Sequence, residues 1–485
     1  MNRYSYHNFM FPFQWGIEGY GNKPFSDQIN LRNIDFSQGS NWERIIVPTV
    51  ENEVDDLYNE RNYFYEFVHD ALYDTGKSNT LIWHCERKEP QHSDVFYAIE
   101  SGDKLYELKV DAINLNLYST GVGVLTFYLY NEKYPDPADV LKINQVGRRV
   151  FPPYINSVKD RIEIAKSIEI KGLHGCETGY REDFSRYTNK TKCNKPASFI
   201  ENMILEAATN IQLKPVIDDR MFVQCWYKND EWTNEFIGKD NYPSHWYEFL
   251  FVDNLGNPTC QNEEMKKSLL KEATYERWQN YGSLYGISRY SMVLLTNNDC
   301  PNYLLTYFES MYARMAELIL VQKASVLRFS GEVTNISNID NKKGFGEKAS
   351  SLYKEYIRFV NQIHFREVSA QDQGIELYQK LYNTMNLGEQ VKKLDEEIEE
   401  LYNYVSLSED RKNNSTISLL TWIATIAVPM TMVAGFFGMN NVDLDVKDEE
   451  PILWYNQIGY QILTAIIITL IIFIIILTLK NRKKK

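Results

Sequence analysis

The sequence predicts an α/β domain carried on a long stalk helix that ends in a two-helix transmembrane hairpin. Three observations carry this. From Ile417 to Phe437, and again from Gln457 to Leu479, the chain holds no charged residue. At about 1.5 Å per residue, each run is long enough to cross a hydrocarbon core of roughly 30 Å. Ahead of them, Leu387, Val391, Leu394, Ile398, Leu401 and Val405 recur in alternating threes and fours, the stripe of an amphipathic helix. Residues 1–300 instead alternate short β-prone runs with helix-like segments, as a mixed sheet with flanking helices does.

Within 1–300, strand signals lie at Arg44–Val47, Thr80–Trp83, Val95–Ile99, Met221–Tyr227, His245–Val252 and Tyr290–Leu295. Leu105–Tyr130 reads as two longer strands broken at Ser119-Thr120-Gly121, a hairpin. Helix-like segments lie at 57–73, 156–168 and 196–210, and the polar stretch 174–195 reads as a loop. Phe9–Trp15, interrupted by Pro12 and Gln14, has neither the basic start nor the continuous apolar core of a signal peptide.

The chemistry-bearing residues of this part are sparse. Cys85, Cys176, Cys193, Cys225, Cys260 and Cys300 have no paired CxxC spacing and read as reduced thiols; His174-x-Cys176 is an isolated pair. No phosphate-binding glycine loop, nucleophile elbow or metalloprotease motif occurs, so neither an enzyme nor an organic cofactor is expected. A net charge of −13 argues against direct nucleic-acid binding. Arg148 and Arg149, ahead of Phe151-Pro152-Pro153-Tyr154, are the candidate anion site; surface charge beside a rigid turn is the plainer reading.

Residues 301–366 read as a helical segment. Tyr303–Ser330 is apolar but carries Glu309, Arg314, Glu317 and Lys323, which suits a packed helix and not a membrane span. A break follows at 331–346, then a helix at 347–366. The stalk, 367–414, is expected to run unbroken from about 370, with Glu389, Glu396, Glu397, Glu399 and Glu400 on its solvated face. Stepping back four and seven from Asn414 reaches Asp410 and Asn403, and an axial ring of Asp410 is a candidate cation site.

The hairpin comprises a first span at 415–440, an external loop at 441–456, a second span at 457–479 and a basic tail at 480–485. Arg411, Lys412, Lys480, Arg482, Lys483, Lys484 and Lys485 flank the spans, whereas the loop carries Asp443, Asp445, Asp448, Glu449 and Glu450 against Lys447. Basic residues mark the cytoplasmic side, which places both termini in the cytoplasm and the loop outside an inner or plasma membrane. Trp454, Tyr455 and Tyr460 fall where an interfacial aromatic belt belongs. In the first span Asn414, Ile417, Thr421, Ala424, Val428, Thr431, Gly435 and Gly438 form one stripe, and bulky residues fill the others. Such a stripe serves either a close helix–helix contact or the wall of a water-filled pore.

The run from Thr421 to Gly438-Met439-Asn440, with an acidic loop, a second span and a basic tail behind it, resembles the first membrane helix of the CorA family of divalent-cation channels. The resemblance implies a homopentamer in the lipid bilayer, with Gly438, Met439 and Asn440 as selectivity filter, Asn414 at the inner pore mouth, and Thr431 and Gly435 lining the pore. Val428 stands where the family often has a bulky Met or Leu gate, and Glu450-Pro451-Ile452-Leu453 replaces the usual Met-Pro-Glu-Leu. The implied cargo is Mg²⁺, with Co²⁺ or Ni²⁺ as minor permeants, and the acidic loop would concentrate cations at the mouth. Three functions fit: a Mg²⁺ channel gated from its cytoplasmic domain; an effector resembling the enlarged CorA-like proteins of type III CRISPR defence, opened by a nucleotide second messenger; or a non-conducting membrane scaffold.

Overall fold

The computed structural model describes residues 3–36, 41–47, 60–89, 94–151, 164–174, 180–186, 196–217, 220–337 and 345–438, and all of 461–469 except 463 and 467. Side chains of 408, 409, 412, 432–434 and 436–438 lie outside that description. Two compact units emerge, Met1–Tyr402 and Asn403–Lys485.

The first unit is built on β1 (Ser5–Ile17), thirteen residues long and buried on both faces. Its sequence mixes Phe, Tyr and Trp with Ser, His and Asn, which hides the strand from a search for alternation. The other strands are β2 (Trp42–Arg44), β3 (Ile82–Arg87), β4 (Phe96–Ser101), β5 (Lys104–Tyr118), β6 (Val122–Asn131), β7 (Ser167–Lys171), β8 (Arg181–Asp183), β9 (Ile211–Pro215), β10 (Phe222–Lys228), β11 (Thr274–Tyr275), β12 (Ser283–Ile287) and β13 (Ser291–Thr296). They join in one sheet of order β11-β12-β13-β10-β1-β6-β5-β4-β7-β8. Along one edge, β1 pairs first with β10 through Ser5–Met10 and then with β9 through Phe13–Ile17. β5 divides in the same way between β4 and β3, with a register shift between Val110 and Ala112. Only β10 and β13 run parallel among the described strands.

The hairpin expected at Ser119-Thr120-Gly121 joins β5 to β6. Gly121 has φ +73°, where a Cβ would strike Arg328 and Ile29, so the turn requires glycine. The Arg328 guanidinium donates to the carbonyls of Gly121 and Trp15, and Ser325 Oγ donates to Thr120 Oγ1 at 2.9 Å. Expected strands at Val95–Ile99, Met221–Tyr227 and Tyr290–Leu295 correspond to β4, β10 and β13.

The helices are α1 (Phe25–Gln28), α2 (His69–Leu72), α3 (Pro137–Gly147), α4 (Ser198–Ala207), α5 (Asp230–Phe236), α6 (Trp246–Phe251), α7 (Glu263–Ala273), α8 (Asn302–Glu309), α9 (Met311–Ser337), α10 (Phe345–Gln362), α11 (Asp372–Thr384) and α12 (Leu387–Gly438). α3 and α4 cover one face of the sheet, where the rings of Phe9, Tyr97, Phe127 and Phe199 meet. α9 covers the other face. There the sheet is polar, and Asn116 Nδ2 and Tyr118 Oη donate to Glu317 at 2.6 and 2.8 Å. α10 and α11 pack on α9 in turn.

Several expectations are corrected. His245–Val252 is not a strand but α6, entered and left through the left-handed residues His245 (φ 62°) and Val252 (φ 51°). Its fully buried Trp246, Phe249 and Leu250 are spaced by three and four, a helical period read as alternation. Of the helix expected at 57–73, the described part is helical at 60–63, then breaks into a 3-10 turn at Glu66–Val68 and α2. The helix expected at 156–168 lies outside the described residues up to 163, and Ser167 opens β7. The helix expected over Tyr303–Ser330 is two, interrupted at Ser310, and the second runs on to Ser337. The stalk is not continuous from 370: α11 stops at Thr384, and α12 starts again at Leu387 after Asn386 in a left-handed turn (φ 53°).

Candidate functional site

α12 begins in the first unit, where its stripe is buried as the spacing requires. Leu387, Val391, Leu394 and Ile398 are at most 6% exposed. Glu389, Glu396, Glu397, Glu399 and Glu400 lie on the exposed face. The Tyr356 hydroxyl of α10 donates to Asp395 at 2.6 Å, and Tyr353 stacks on Tyr402 with ring centroids 4.5 Å apart.

Beyond Tyr402 the helix changes character. Ile417, Ile423, Val428 and Met430 are each 55–69% exposed. Asn414, Thr421, Ala424, Thr431 and Gly435 are exposed too, with open space where a Gly435 Cβ would stand. At 3.6 residues per turn, the small-residue stripe from Asn414 to Gly435 falls on one side, and Leu419, Ile423, Ile426 and Met430 fall on the other. Both sides are bare in a single chain. A helix apolar all round needs a covering of protein or lipid.

Three threonine hydroxyls of this segment bond back to the helix backbone. Thr421 Oγ1 donates to Ile417 O at 2.8 Å, Thr425 Oγ1 to Thr421 O at 2.6 Å, and Thr431 Oγ1 to Val428 O at 2.9 Å. Pro429 sits inside the helix, and its missing N–H leaves the Thr425 carbonyl without its usual backbone donor. Gly438 is the last described residue of α12. Met439, Asn440, the acids Asp443, Asp445, Asp448, Glu449 and Glu450, the aromatics Trp454, Tyr455 and Tyr460, and most of the expected second span lie outside the described residues. Among the described residues, no helix is long and apolar enough to cross a membrane. For α12, the continuous stretch with described side chains ends at Thr431.

Asp410 is exposed on α12, and among the described residues no group of three or more His, Cys, Asp or Glu could hold a metal ion. Of the cysteines, Cys85, Cys225, Cys260 and Cys300 are free thiols; Cys176 and Cys193 lie outside the described residues. Burial pushes the Cys85 and Cys225 thiols up to about 12.

The surface position weighed for Arg148 and Arg149 does not hold, because both are buried. The Arg148 guanidinium lies 5.7 Å over the Tyr290 ring, and its carbonyl accepts from Met221 N at 2.7 Å. Arg149 bridges to Arg220 at the start of β10.

Among the described residues, several cavities open in the first unit. One of about 860 Å³ is walled by Tyr63, Trp278, Tyr303, Tyr307 and Tyr312. Its Arg277 is already paired with Glu376 at 2.6 Å and Asp372 at 3.4 Å. A polar cavity of about 500 Å³ holds Arg32, Arg44, Lys77, Lys354 and Arg358. Three of these cations are paired: Arg44 with Asp74, Lys77 with Asp70 and Arg358 with Glu355. Another, about 330 Å³, lies beside Met385 and contains Arg220, Arg289 and Lys323, with no carboxylate among its described lining residues. Nothing in the sequence spacing brought these last residues together, since they come from the segment ahead of β10, the β12–β13 turn and α9.

Residues 350–483 match the family model described as CorA-like Mg²⁺ transporter protein. This C-terminal segment is CorA-like. The match includes α10, α11, α12 and the Gly438-Met439-Asn440 motif, and leaves the sheet outside it. No curated protein matches the chain. Among solved structures, the complete CorA magnesium transporter from Methanocaldococcus jannaschii is similar at 14% identity, over 55% of this chain and 93% of that one, with a TM-score of 0.21. That superposition is too loose to carry an argument about the fold.

Proposed function

We propose that the chain is a membrane channel for divalent cations, Mg²⁺ first among them, assembled as a homopentamer around α12 and gated from its large cytoplasmic unit. The observation that carries this reading is the CorA-like match over 350–483, which includes the Gly438-Met439-Asn440 motif. The bare apolar surface of α12 from Ile417 to Met430 supports a lipid and subunit environment. In this reading the small-residue stripe faces the lumen, Val428 narrows it, and Asn440 presents an amide to a hydrated ion. Mg²⁺ gives up its waters reluctantly, so a ring of neutral oxygens can hold it weakly enough to let it pass. Asp410 would form an inner ring of carboxylates, and the acids from Asp443 to Glu450 an outer field. Both termini would lie in the cytoplasm.

Mg²⁺ flux into liposomes holding the purified full chain, followed with an internal Mg²⁺-sensitive dye, tests the proposal. Saturable uptake is expected; assembled protein that admits no divalent cation refutes it. A second reading, a defence effector opened by a nucleotide messenger, draws on the size of the sheet-based unit and its cavities. Flux that appears only when a nucleotide is added would favour it.

A further inference from the structure

Two cations, half-buried Lys323 and exposed Arg289, line the cavity beside the α11–α12 break. Lys323 of α9 donates from Nζ to Gln390 Oε1 at 2.6 Å and to Met385 O at 3.4 Å, and Arg289 donates from Nε to Thr384 O at 3.3 Å. Both cations are therefore aimed at the C-terminal end of α11. A helix end offers about half an elementary negative charge, which is less than the two full charges facing it. Neither Lys323 nor Arg289 has an ion-pair partner among the described residues, and the nearest acid of α12, Glu389, is turned to Asn386 and Lys393 at 2.9 and 2.8 Å. Burial, with Arg289 as like-charged neighbour, lowers the Lys323 pKa, as expected where no anion compensates.

The remaining walls are apolar. Apart from Arg220, which has an interaction of its own, Met221, Phe222, Tyr290, Leu320, Leu327 and Met385 surround the two cations in a volume of about 330 Å³, within the range of small-ligand sites. The larger polar cavity carries more cations, but most are matched by carboxylates. The aromatic cavity has one Arg, doubly paired. Of these three, the cavity at the break sets cations that have no carboxylate partner among the described residues against an apolar body.

We propose that this cavity is a binding site for a small anionic ligand, one with a phosphate or similar head on an apolar or aromatic body. The head would sit between Lys323 and Arg289 and the body against Tyr290, Phe222 and Leu320. Because Lys323 already holds Gln390 in the first turn of α12, occupancy would stiffen the α11–α12 junction. Binding does not depend on the pore conducting, so it stands or falls apart from the channel reading.

The test uses the full chain in detergent with phenyl phosphate as probe. Calorimetry should show saturable binding of phenyl phosphate, weaker binding of inorganic phosphate, and none of phenol. Arg289→Gln with Lys323→Met should weaken phenyl phosphate by about tenfold or more, since each charge-assisted hydrogen bond contributes on the order of the 1.4 kcal/mol that a factor of ten represents. In the unaltered chain, phenyl phosphate should also slow acylation of Lys323, mapped by mass spectrometry, a readout that needs no variant. It should further slow amide exchange over 387–391. No saturable binding, or binding without protection of Lys323, overturns the site; protection of Lys323 with unchanged exchange overturns the coupling to α12.

Discussion

Lys323 and Gln390 are joined across the break between α11 and α12 by a 2.6 Å hydrogen bond. It ties the central helix of the sheet-based unit to the first turn of the helix that leaves it. The break itself is made by Asn386, whose φ of 53° lies in the left-handed region that Asn and Gly tolerate and most residues do not.

Asn386→Ala should therefore destabilise the protein by about 1 kcal/mol, and Asn386→Gly by much less. Thermal unfolding of the two variants in the same detergent gives the comparison. Equal loss in both would mean that the Asn386 side chain, which donates to Glu389, holds the turn instead of its backbone.

The stripe on α12 makes a sharper contrast. Leu394 is 1% exposed, whereas Glu397 is on the open face. Leu394→Ala should cost about 2–4 kcal/mol and Glu397→Ala less than about 0.5 kcal/mol. Comparable losses at the two positions would contradict the burial of the stripe.

That stripe was legible because burial on one face of a helix leaves a period in the sequence. Leu387, Val391, Leu394 and Ile398 obey it, and the β5–β6 hairpin was legible from its turn residues Ser119-Thr120-Gly121. β1 was not legible, because a strand buried on both faces loses its alternation, and here Ser5, His7 and Asn8 stand among its aromatics. Ser5, His7, Asn8 and Asn131 find partners in one another and in Asn144 and Gln224, which only the assembled sheet provides. α6 was misread for a related reason: six residues are too few to separate a period of two from one of 3.6. The break at Asn386 has a weak signal, an Asn ahead of Leu-Gly, and needed its dihedral angle to be seen. The cavity cations had none, since Arg289 and Lys323 meet only through the fold.

Glu309 supplies a pH prediction. Burial raises its carboxyl from the ordinary 4.5 to about 7, although Tyr130 donates to it at 3.0 Å. The folded chain thus holds this proton more tightly than the unfolded chain. Glu309 imposes no penalty below pH 4.5, a growing one as pH rises from 4.5 to 7, and a constant one above, worth at most about 3 kcal/mol. Glu309→Gln should raise stability at pH 8 and change it little at pH 4.5. Unfolding temperatures of both proteins across that range decide, and parallel profiles would show that Glu309 does not titrate as described.

The channel reading is tested most directly at Asn440. In the sequence it closes the Gly438-Met439-Asn440 motif, a neutral amide where the expected span meets the expected external loop. If that amide holds the water shell of a passing cation, Asn440→Ala should abolish selective Mg²⁺ uptake into liposomes. Assembly should survive, because the stripe from Asn414 to Gly435 that would bring the copies together is untouched. Mass measurement in detergent should find five chains in both proteins. A stable monomer or dimer would remove the pore, and a pentamer of the Ala variant that still takes up Mg²⁺ with unchanged selectivity would remove Asn440 from the filter. The two measurements separate assembly from selection, since the first depends on packing along α12 and the second on a single hydrogen-bonding group.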